Sequence, residues 1–332
     1  MAEHSPQVPD GVWSAWAVVR RSALAAWRRC ALIGVVGSGA LGLLACDGPH
    51  RRGQPAPERP HGKAVARPAV AADADAGAAP DAPPLRYDVY PDLGAAVLAV
   101  TRDHPRVIGL GELHVRTDRP APSVSALSRF SSEVLPALGD RVSDVVVETW
   151  MVDPSCQKGV TATKKIETSM KRPETTKDEI GSLFGAARER SITAHVMTMR
   201  CDDLAKLADD QGVDAELLLS MVTRELDRIT RSAVRYRDEH QEGRPFILVY
   251  GGALHNDLYP FESTRQWSYA LDVDAATGGR FVELDVYAPE LVEGDPLYVK
   301  EPWYPLVAKA GSRGVMLVER APRSYLAILP RS

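Results

Sequence analysis

The chain has 332 residues, enough for one large domain or two small ones, and its 45% hydrophobic and 25% charged content is ordinary for a globular protein with a real core. A formal net charge of −4 supplies no basic field for nucleic acid, which argues against a nucleic-acid partner. Only 8 residues are histidine, so the placement of each is informative.

Residues 1–46 read as an export signal. Arg20, Arg21, Arg28 and Arg29 precede an apolar stretch from Ala31 to Leu44, which runs into Leu43-Leu44-Ala45-Cys46. That order matches a bacterial lipobox, with Cys46 as the lipidated new N-terminus. The expected location is therefore that of an exported lipoprotein, held at a membrane through Cys46 and facing the periplasm or exterior. Residues 47–84 are rich in Pro and Ala with few large apolar side chains, so they are expected to stay disordered. A tether of that length reaches roughly 35 Å. A single folded domain should occupy 85–332.

Within it, the pattern from Asp88 to Asp103 predicts a helix burying Tyr90, Leu93, Val97 and Leu98. Val107–Leu110 reads as a short buried strand, and Ser123–Leu138 as a helix through Val124, Leu127, Phe130, Val134, Leu135 and Leu138. Val142–Val147 reads as a strand ending at Glu148; strand, helix, strand implies a right-handed parallel crossover. The stretch 153–179 is polar and rich in Lys and Thr, and reads as a mobile, lid-like excursion over the carboxyl edge. Cys156 at its start and Cys201 beyond the next strand are expected to pair outside the cytoplasm.

A helix over Gly181–Arg190 and a strand over Ile192–Met199 follow. The longest helix, Asp214–Gln241, buries Leu217, Leu218, Met221, Val222, Leu226 and Ile229. Phe246–Tyr250, Phe281–Tyr287, Val315–Val318 and Tyr325–Leu329 are further strands, the last two an antiparallel hairpin. The expected fold is α/β: a mostly parallel central sheet flanked by helices, with a C-terminal antiparallel hairpin.

Two of these strands end in Gly-x-x-His, at Gly111–His114 and Gly252–His255, and Glu148 ends the strand between them in sequence. In an open parallel sheet, ligands bind past the carboxyl ends of the strands. Gly111 lets the backbone turn there. Glu112, His114, Glu148 and His255 offer two carboxylates and two imidazoles, the expected catalytic residues and the expected ligands of Mn, Co, Zn or iron. The same groups could activate water without a metal. Asp257 and Tyr259 follow closely enough to support the site. Arg224, Arg228, Arg231 and Arg235 form a row that is by default a solvated face, from which one arginine could turn inward. His195 is expected in the core, and His104 and His240 at helix ends. Asp202, Asp285 and Tyr287 lie toward the functional edge, and Trp267, Tyr269, Trp303 and Tyr304 pack in the core or line the cleft.

Gly-Glu-x-His after a strand, a strand-end Glu and a late Gly-x-x-His resemble the superfamily that contains Tiki proteases, TraB proteins, erythromycin esterases and the haem-binding lipoprotein ChaN. The resemblance spans about 88–290 and rests on few positions. It assigns Glu112 and His114 to the first motif, Glu148 to the strand-end Glu, and Gly252 with His255 to the second motif. It also implies a site arginine on the helix before the last motif, for which Arg231 and Arg235 are the candidates. ChaN's haem-ligating His near the first motif has no counterpart in Val115-Arg-Thr-Asp118. The combined expectation is a membrane-anchored, metal-dependent hydrolase of a peptide or ester bond outside the cytoplasm. The alternative is a lipoprotein that binds haem iron or a metal without turnover.

Overall fold

The computed structural model describes residues 85–332 apart from 154, 210–211 and 241–242. The export signal, the lipidation site Cys46 and the tether expected at 1–84 lie outside the described residues.

Eight strands form one sheet. In chain order they are β1 (Tyr87–Tyr90), β2 (Val107–Glu112), β3 (Val142–Met151), β4 (Thr193–Thr198), β5 (Phe246–Gly252), β6 (Phe281–Tyr287), β7 (Val315–Ala321) and β8 (Ser324–Ile328). Across the sheet the order is β1-β7-β8-β6-β2-β5-β3-β4. The strands from β8 to β4 run parallel, while β1–β7 and the β7–β8 hairpin are antiparallel. The fold is therefore α/β, mostly parallel, with a C-terminal antiparallel hairpin.

The helices are α1 (Leu93–Val100), α2 (126–138), α3 (Gln157–Met170), α4 (Thr175–Glu189), α5 (Cys201–Leu207), α6 (Ala215–His240) and α7 (Ala270–Ala276). On one face of the sheet, Val97 of α1, Phe130 and Val134 of α2 and Leu183 of α4 pack on Ile108, Leu110, Val145, Leu248 and Leu284. On the other, Val222 and Leu226 of α6 and Val273 of α7 pack on Val107, Val146, Ile247 and Val249. Sheathing on both faces explains why β2 and β5 are buried along their whole length. Each fully buried Val, Leu or Ile contributes about 1.5–3 kcal/mol of transfer free energy.

Three expectations need correction. The first predicted helix starts too early: residues 87–90 form β1, paired antiparallel with β7. Pro91 breaks the pattern and Asp92 caps α1, its side chain accepting from Ala95 N–H at 2.7 Å. Leu98 consequently faces outward, 38% exposed. The polar excursion is largely helical, made of α3, the turn 171–174 and the first third of α4. Its buried face uses Gly159, Ala162 and Thr163 beside Ile166 and Met170, so the apolar periodicity is weak. Finally, β3 does not end at Glu148. Its pairing with β4 runs Val147↔Val196 and then Trp150↔Met197, so Glu148 and Thr149 sit in a bulge.

Candidate functional site

The register places the motifs side by side. Gly111 pairs with Gly251 and Glu112 with Gly252, while Val147 pairs with Tyr250 on the far side of β5. Glu112, Glu148 and the 251–255 segment therefore reach the carboxyl edge at one level. The bulge in β3 re-aims Glu148 toward β5. Gly251 leaves room for it, since a Cβ there would overlap the Glu148 carboxylate, and the Gly252 N–H donates to Glu148 Oε2.

The four expected residues converge. Exposure is 4% for Glu112, 5% for His114, 3% for Glu148 and 0% for His255. His114 Nδ1 lies 2.7 Å from Glu112 Oε1, and Tyr250 O–H donates to Glu112 Oε2. His255 Nδ1 lies 2.9 Å from the Trp267 carbonyl oxygen and 2.9 Å from Thr223 Oγ1 on α6. Thr223 O–H is directed at the Leu219 carbonyl, 2.9 Å away. Carboxylate and carbonyl partners of this kind hold the proton on Nδ1 and leave the Nε2 lone pair free.

Those two Nε2 atoms face one oxygen. Glu148 Oε1 is 3.9 Å from His114 Nε2 and 3.8 Å from His255 Nε2. All three atoms are buried without a hydrogen-bond partner. Three acceptors turned toward one point call for a donor or a cation, a water molecule being the simplest.

Burial pushes the Glu112 carboxyl up, but His114, Arg172 and Tyr250 outweigh it and hold the group below the usual carboxylate range. Burial likewise opposes ionisation of Glu148, and the imidazoles with the Gly252 N–H outweigh it. Burial drives the His255 imidazole below its ordinary value, so it is neutral at neutral pH.

The donor types suit a divalent cation. Their spacing exceeds the roughly 3.4 Å that separates two ligands of a tetrahedral ion. Among the described residues, no group of three or more His, Cys, Asp or Glu is arranged to hold a metal ion. A cation would have to draw His114, His255 and Glu148 together.

Three residues of the site have no sequence signal of comparable strength. Tyr250 closes the apolar run of β5, where an aromatic residue reads as core. Thr223 is a lone hydroxyl inside the buried stripe of α6. Arg172 comes from the polar excursion, its Nη2 3.4 Å from Glu112 Oε1.

The arginines nominated on α6 stay outside: Arg231 pairs with Asp227 on its own helix, and Arg235 is exposed. Asp257 Oδ1 accepts from Tyr259 N–H at 2.8 Å, and Tyr259 O–H donates to Pro322 O at 2.9 Å. Asp202 is exposed in the first turn of α5. His195 is half-buried against Asp144, and His104 and His240 are exposed. Tyr269 and Trp303 are core residues, and Trp267 serves through its carbonyl.

Asp285 and Glu283 form a separate buried group, and Arg320 spans them at 2.8 Å and 2.7 Å. Burial pushes Glu283 up to about 8 and Asp285 up to about 6, against the pull of Arg320.

Cys156, which caps α3, and Cys201, which opens α5, stand at disulfide distance with Cα atoms 5.7 Å apart.

No family model matches the chain, and no curated protein matches it. Among solved structures, the type III effector HopBA1 is similar at 12% identity, covering 74% of this chain and 98% of that one with a TM-score of 0.35. A likeness that slight carries no argument about fold or function.

Proposed function

We propose that the chain is a hydrolase in which the Glu112–His114–Glu148–His255 cluster activates water for attack on a peptide or ester carbonyl. The observation that carries this is the trio of unpartnered acceptors, His114 Nε2, His255 Nε2 and Glu148 Oε1, facing one another at the carboxyl edge. A water seated among them would be polarised from several sides, and Glu148 would take its proton as general base. Glu112 fixes the His114 ring through Nδ1, and Trp267 and Thr223 fix the His255 ring.

Mn, Co or Zn held by His114, His255 and Glu148 would add Lewis acidity and lower the pKa of the attacking water. Haem receives less support, because the four side chains are at most 5% exposed and offer no open face to a macrocycle. The motif resemblance to the Tiki, TraB, erythromycin esterase and ChaN superfamily supports hydrolysis. The lipobox at Cys46 and a cysteine pair at disulfide distance both accord with an exported, membrane-anchored protein. No helix among the described residues is long and apolar enough to cross a membrane.

The test is a panel of p-nitrophenyl esters and short peptides, run with wild type and Glu148→Gln. Glu148→Gln should lose at least about 100-fold in turnover while keeping its circular dichroism spectrum. Equal turnover in both proteins would sink the assignment.

A further inference from the structure

The turn between α3 and α4 carries a cation into the candidate site. The Arg172 side chain is 9% exposed, and its buried Nε has no hydrogen-bond partner. Among the described residues its terminal nitrogens make two long hydrogen bonds, Nη2 to Glu112 Oε1 and Nη1 to Val115 O, both at 3.4 Å, and the Glu179 carboxyl is close enough to feel its charge. Glu112 does not depend on Arg172 alone, being also bound by His114 and Tyr250. A guanidinium offers five N–H donors in a planar fork, so Arg172 brings more donor capacity into the pocket than the protein uses there.

Leu127, Val147 and Ile180 supply the apolar part of the pocket that Arg172 lines, which they share with Thr176 and with the candidate site's own residues. The backbone holds this arginine in place. Lys171 closes α3 in the left-handed region (φ 52°), its carbonyl accepts from Thr117 N–H at 2.8 Å, and its ammonium pairs with Asp118 at 2.8 Å.

We propose that Arg172 is the specificity-determining residue of this site and takes an oxyanionic group, a carboxylate or a phosphate, on a substrate with an apolar body. As a statement about substrate, this rests on the hydrolytic reading above; the binding it requires does not. Glu112 and Glu148 repel an anion, so Arg172 is what makes one acceptable, and its loss should be felt strongly.

The experiment is calorimetric titration of the full chain with hexanoate and with hexyl phosphate, using hexanol and hexylamine as matched controls. At least one oxyanion should bind while hexanol and hexylamine do not, and the stronger of the two identifies the group. Arg172→Gln should weaken that binding about tenfold or more, and Arg172→Lys by less, because a charge-assisted hydrogen bond is lost in one and partly kept in the other. Circular dichroism of both variants should match wild type.

Failure of both oxyanions to bind, equal binding of hexanol or hexylamine, or wild-type affinity in Arg172→Gln would each overturn the proposal. Binding that depends on Arg172 in a chain that hydrolyses nothing would keep this inference and remove the hydrolytic one.

Discussion

A Cβ built on Gly251 would stand 2.9 Å from the Cβ of Glu148 and would overlap its carboxylate. The second glycine of the Gly-Gly pair in β5 therefore donates its N–H to Glu148, and the first makes space for it. Gly251→Ala should displace Glu148 from the two imidazoles. The expected cost is about 1–3 kcal/mol in stability from overpacking, with a loss of turnover as complete as in Glu148→Gln. Urea unfolding gives the first quantity and the ester panel the second. Full activity in Gly251→Ala would mean that Glu148 is not held where its chemistry requires.

The opposite end of β3 provides a contrast. Asp144 is buried and receives Arg237 Nε at 2.7 Å and the His195 ring at 2.7 Å. Burial disfavours its charge, but these two partners hold its carboxyl below the ordinary range. Asp144→Asn would remove the buried carboxylate that Arg237 Nε and Nη2 meet. Breaking such a pair costs about 3–5 kcal/mol. Since Asp144 lies at the amino end of the strand, turnover per folded molecule should be unchanged, which separates it from Glu148→Gln in the same assays.

Cys156 and Cys201 are 45 residues apart in sequence. Closing a loop of that size stabilises a fold by about 4 kcal/mol on the chain-entropy model. Reduction, or Cys156→Ser with Cys201→Ser, should lower stability by about 2–4 kcal/mol. Alkylation before and after reduction, followed by mass measurement, shows whether the bond forms. An unchanged unfolding midpoint in an oxidised, bridged protein would remove its role in anchoring α3.

What the amino-acid pattern made legible was the set of buried strands and the groups just past their ends. Val107–Leu110 and Phe246–Tyr250 are runs without a polar side chain other than the Tyr250 hydroxyl, and Glu112, His114 and His255 follow within five residues of their ends. Glu148 was found for the same reason, although the bulge that aims it depends on pairing with β4, which no local pattern encodes. α3 was missed because its buried face is built from Gly, Ala and Thr beside a few larger residues, so the helical period is weak. Arg172 was missed with it. The arginine row of α6 reads by its period as a solvated face, and Arg231 and Arg235, which the resemblance nominates, lie on that face outside the site. Thr223, on that same helix, orients His255 through a single hydroxyl that a hydrophobicity pattern registers only as an interruption.

Acid and alkaline pH should unsettle the fold through different groups. Glu112, Glu148 and His255 have folded-state values below those of the unfolded chain. Their contribution is present above the unfolded values and is lost as pH falls, so the candidate site shares the acid limb with Asp144. Glu283 and Asp285 behave oppositely. Two carboxyls share one arginine in a buried space, and their values are raised to about 8 and about 6. A raised group contributes fully below its unfolded value and loses that contribution as pH rises through its folded one. Wild-type stability should therefore decline between pH values below 6 and above 8. Glu283→Gln places a neutral side chain beside Arg320 and should flatten the upper part of that decline, near 8. Thermal midpoints measured across this range in wild type and Glu283→Gln decide the matter. Parallel pH curves for the two proteins would show that Glu283 is ionised throughout and that Arg320 holds both carboxylates charged.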